Sequence, residues 1–68
     1  MSTTITKEEF EQRVKSELYK IDGVKRETVN KEIAIERDWL NSFYNEGLVS
    51  QDFDNAVRKA VDNFAKWL

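Results

Sequence analysis

Apolar residues recur along this chain at steps of three and four, the spacing that places them on one face of an α-helix. The clearest run is Phe53, Ala56, Val57, Ala60, Val61, Phe64, Trp67 and Leu68. Water does not tolerate such a stripe alone, so it must be covered by other helices or by a partner. It predicts a helix over 51–68, with Ser50 as N-cap and Asp52 in the first turn, where the helix dipole favours a carboxylate. Because the periodicity holds to the last residue given, Trp67 and Leu68 are expected to close the bottom of a core beside Phe10 or Val24. The alternative is that they enter a partner's groove.

Earlier in the chain, residues 1–5 read as a flexible polar lead. Thr6-Lys7-Glu8-Glu9 then has the T-x-x-E form of a capping box, with Ile5 and Phe10 at the two staple positions around it. The helix that follows, over 7–21, carries Phe10, Val14, Leu18 and Ile21 on a narrow stripe, and Asp22-Gly23 supplies a stop. A second helix is expected over 25–45. Its apolar arc is broader: at about 100° per residue, Val29, Ile33, Leu40, Phe43 and Tyr44 cluster, with Ile35 and Trp39 as a shoulder. Gly47 reads as its stop, and Gly47-Leu48-Val49-Ser50 as the turn into the third helix. Short connections make consecutive helices antiparallel. The expectation is therefore all-α: a small antiparallel three-helix bundle, forming one domain over 6–68. A weaker alternative is a hairpin of the second and third helices, with the first docking across a dimer.

Composition narrows how such a bundle can hold together. The 68 residues contain no cysteine, histidine or proline and only two glycines, so neither a disulfide nor a His/Cys zinc site can contribute. A single core of this size gives about 3–5 kcal/mol of net stability, which leaves room for self-association. Eleven basic and thirteen acidic residues give a net charge of −2, without the basic excess of a duplex-binding domain. No apolar run reaches the roughly 18 residues of a membrane span, and the N-terminal residues lack the features of a secretory signal. A cytoplasmic setting with no membrane partner is the expectation.

The chemistry on offer is sparse. Without histidine or cysteine, the commonest general base and the strongest side-chain nucleophile are missing. The glycines fall at expected helix ends rather than in a phosphate-cradling loop, so no cofactor is expected. Asp52, Asp54 and Asn55 lack the glycine and terminal glutamate of a calcium loop and fit an acidic first turn. An enzyme is not expected.

Interaction is the better reading, and helix 2 carries it. Glu36 projects into the wide arc between the directions of Val29 and Phe43. It pairs either with a cation such as Arg13 or Arg58 across a helix seam, or serves as an acidic contact within an apolar binding face. Trp39, on the shoulder with Ile35, either caps the bundle between helices 2 and 1 or packs on a second copy, or else is an anchor ringed by Glu32, Ser42 and Glu46. Tyr19 lies opposite the helix 1 stripe, exposed or packed on the turn at Val24. The candidate interface is Glu32, Ile35, Glu36, Trp39 and Phe43. It suits a small accessory, adaptor or inhibitor protein docking a helical face on a larger protein. Self-association through the same shoulder is compatible with it. The competing reading is a three-helix nucleic-acid-binding domain, but the opening Gln51-Asp52-Phe53-Asp54 of the third helix would repel phosphate.

Overall fold

The first helix starts at the cap that the sequence predicts. In the computed structural model, which describes residues 4–68, Thr6 has extended backbone angles and its hydroxyl accepts the Glu9 N–H at 3.1 Å. Of the capping box, this Thr6 half is the one formed. Ile5 packs against the core as a staple residue should, and its carbonyl accepts the Tyr44 hydroxyl at 2.7 Å. The rest of the expected lead, residues 1–3, lies outside the described residues. Helix α1 (Lys7–Tyr19) then buries Phe10, Val14 and Leu18. Ile21 does not join them: the helix has ended, and Ile21 lies in the turn, 37% exposed. Gly23 supplies the left-handed residue of that turn, at φ +82°.

Among the described residues four helices form where three were expected, because the long middle helix is broken. Helix α2 spans Arg26–Ile35 and α3 spans Arg37–Ser50, with Glu36 between them at φ −102°, ψ 39°. Neither proline nor glycine marks the site. The Glu36 N–H still bonds to the Glu32 carbonyl at 2.9 Å, while its own carbonyl accepts both Trp39 N–H (3.1 Å) and Leu40 N–H (3.3 Å). One residue thus ends α2 and begins α3. A straight helix over both segments would run about 37 Å against about 20 Å for α1 or α4. Breaking it lets α2 bury Val29 and Ile33 while α3 turns its own buried face, Leu40 and Gly47, to the core.

The second correction concerns Gly47. It is not a stop but an interior residue of α3, buried beneath the start of α4 (Phe53–Ala65). A Cβ at this position would lie 2.8 Å from Phe53 Cδ1 and 3.0 Å from Ala56 Cβ. The glycine therefore allows close approach of α4 rather than a change of direction. Reversal happens four residues later at Gln51, which adopts left-handed angles of φ 58°, ψ 30°. Ser50 accordingly remains inside α3, and Asp52 is the N-cap of α4, its carboxylate accepting the Asn55 N–H at 3.1 Å.

Contacts between helices give the direction of each. Tyr19 meets Asn30, Glu11 meets Arg37 and Phe10 meets Tyr44, so α2 and α3 together run back along α1. Phe53 lies on Gly47, Lys59 on Glu46 and Trp67 on Trp39, so α4 runs antiparallel to α3. The core collects Phe10, Val14, Leu18, Val29, Ile33, Leu40 and Phe64, all 0–1% exposed, with Phe53, Ala56 and Ala60. Burial of each large side chain is worth about 1.5–3 kcal/mol. At the edge, Glu11 accepts from Lys15 at 3.1 Å and Arg37 at 3.2 Å, tying α1 to the start of α3. Tyr19 is half-buried, donates to Asn30 Oδ1 at 2.5 Å and lies under the Arg26 guanidinium.

Candidate protein-docking site

The five candidate residues straddle the break between α2 and α3. Ile35, the last residue of α2, is 62% exposed. Trp39, in the first turn of α3, is 38% exposed. Phe43, one turn further, is half-buried and packs against the core, so it supports the face more than it offers itself. Glu32 and Glu36 are half-buried, and neither has an ion-pair partner among the described residues. The seam pairing of Glu36 with Arg13, Arg58 or a lysine is not formed. Arg13 instead approaches Asp54, at 3.7 Å.

Helical periodicity placed Trp67 in the core as well, and the fold does not. Helix α4 ends at Ala65, and the indole of Trp67 stands 61% exposed beside Trp39, with ring centroids 6.1 Å apart and planes inclined at 54°. That tilted geometry is a favourable aromatic arrangement. Only Leu68 of the final pair packs against the core. The expected neighbours Phe10 and Val24 do not include the true one, because the last turn of an antiparallel α4 meets the first turn of α3. No local signal in the sequence carries that pairing.

Between the two helices, just inside the tryptophan pair, lies a shallow pocket of about 150 Å³ lined by Trp39, Ser42, Phe43 and Asn63. The Asn63 Nδ2 is buried without a hydrogen-bond partner, as is Asn41 Oδ1 on α3. Leaving such a group unsatisfied costs about 1–3 kcal/mol, a cost that an acceptor in the pocket would relieve. Further along the same seam the Lys59–Glu46 pair, 2.8 Å apart, bridges α4 and α3. The site therefore combines apolar surface, aromatic faces and one unused donor. Such a set can bind an apolar side chain beside a carbonyl group.

Among the described residues no group of three or more acidic side chains is placed to hold a metal ion, and no helix is long and apolar enough to cross a membrane. No protein-family model, curated protein or solved structure matches the chain.

Proposed function

We propose that this chain is a small non-enzymatic interaction module that docks the face around Trp39 on a larger protein in the cytoplasm, as an accessory, adaptor or inhibitor. The observation that carries the reading is the Trp39–Trp67 pair. Two tryptophans stand partly in water beside a pocket with an unpaired amide donor, in a chain whose small core would gain from burying them. Tryptophan is the side chain most enriched among residues that dominate binding energy. Ile35, exposed at the end of α2, is a further apolar side chain close to the helix break. The nucleic-acid alternative gains no support from α4, whose cap and first turn carry Asp52 and Asp54.

The test is capture with wild-type and Trp39→Ala baits, followed by reconstitution from purified components. A stoichiometric complex that re-forms from the two pure proteins, and that Trp39→Ala weakens by about 2 kcal/mol or more while circular dichroism stays helical, supports the module. Equal binding by the variant, or no complex that survives purification, removes the reading.

A further inference from the structure

The break at Glu36 is not written into its neighbours. Sharp interruptions of a helix usually coincide with proline or with glycine and serine pairs. The segment from Glu32 to Leu40 contains none of the three. The helix that starts there is also uncapped. Thr6 caps α1 and Asp52 caps α4 through side-chain hydrogen bonds, whereas Glu36 gives α3 none. Glu36 keeps a helical bond on either side, its N–H to the Glu32 carbonyl and its carbonyl from the Leu40 N–H. Returning this one residue from ψ 39° to helical angles would join α2 and α3 into a single helix over 26–50. The first amides of α3 would then find partners in the last carbonyls of α2.

What holds the bend is the packing of one half of the chain on the other. Helices α1 and α2 form one unit, joined by the Tyr19–Asn30 hydrogen bond and by Arg26 lying 5.1 Å over the Tyr19 ring. Helices α3 and α4 form the second, joined at Gly47, at Lys59–Glu46 and at the tryptophan pair. The two units meet through Phe10 on Tyr44, the Tyr44 hydroxyl on the Ile5 carbonyl, the Glu11–Arg37 ion pair and the shared core. Only residue 36 links them along the chain. Straightening there would lift α1–α2 off its own hairpin and uncover both sides of the core. A second copy opened in the same way presents the matching side to each, so closure between two copies restores every contact between the units.

We propose that two copies of this chain exchange α1–α2, with Glu36 as the hinge and one continuous helix over 26–50 in each copy. The complementarity of the interface is already on view, because it is the core of the monomer. New contact arises only where the two hinges come together at the two-fold axis. Ile35, 62% exposed in the monomer, stands one residue from that point. The Trp39–Trp67 pair lies wholly within the α3–α4 unit and is not exchanged. The exchange goes beyond the docking role proposed above and does not depend on it.

Opening the core passes through the unfolded chain, so the test refolds protein from urea at micromolar and at millimolar concentration. Gel filtration with light scattering is expected to show monomer from the first and dimer from the second. Labelled and unlabelled copies refolded together then reveal the pairing by isotope-filtered nuclear magnetic resonance. The Phe10–Tyr44 contact should run between copies. Inserting Gly-Ser-Gly after Glu36 relaxes the bend and puts two glycines inside the straight helix. It should raise the dissociation constant about tenfold or more and leave a helical monomer by circular dichroism. Wild type that stays monomeric after refolding at millimolar concentration overturns the proposal. So does a dimer that keeps Phe10–Tyr44 within one copy, which is side-by-side docking. A dimer equally tight with the insertion overturns it too, since Glu36 is then not the hinge.

Discussion

The α3–α4 hairpin is built from one helix pair, yet its two ends differ sharply. At the turn, Gly47 lets Phe53 and Ala56 press onto the α3 backbone, closer than any side chain would allow. At the far end the partners are Trp39 and Trp67, two of the bulkiest side chains, and both remain partly exposed. Small residues seal a helix seam, whereas large ones at its mouth hold it open and leave surface unused. One end is thus committed to stability, and the other is available for contact.

The strongest way to break this contrast is to overfill the sealed end. Gly47→Leu should destabilise the fold by about 3 kcal/mol, most of what a domain of this size has, and urea denaturation should show it. A side chain accommodated there without loss would mean that the close approach is not needed. A smaller change sharpens the same end: Gln51→Gly removes the side chain from the left-handed position and should stabilise by about 0.5–1 kcal/mol. Unchanged stability would place the reversal elsewhere. The smallest effect belongs to the open end. Trp67→Ala should cost only about 0.5 kcal/mol, chiefly the loss of one aromatic contact. Its thermal midpoint should stay near wild type, while the fluorescence of the remaining Trp39 should shift as its neighbour is lost. A cost comparable to that of Gly47→Leu would put Trp67 in the core after all.

Legibility in the sequence followed the range of the interactions. The Thr6 cap was readable because a hydroxyl and an amide three residues apart settle it locally. The buried positions of α1 were readable up to Leu18 for a similar reason, since periodicity needs only the helix itself. Its failure at Ile21 came from the helix ending early. The break at Glu36 left no local mark, since no proline or glycine accompanies it. Gly47 was misleading because glycine serves both as a terminator and as a point of close contact, and only the neighbour distinguishes them. At the candidate site, the exposure of Ile35 and Trp39 was legible as more apolar arc than one neighbour would cover. Trp67 was expected in the core because its periodic spacing continues beyond the end of α4.

The sequence by itself determined that this chain is helical, where its first cap lies and which ridges of α1 and α4 turn inward. Those properties depend on bonds and spacings within a few residues. Tertiary structure alone decided that the middle helix divides at Glu36, that the chain reverses at Gln51 rather than at Gly47, and that Trp39 and Trp67 meet at the surface. Each of these is set by where a distant helix lies, and the spacing of residues along one helix carries no record of its neighbour's length.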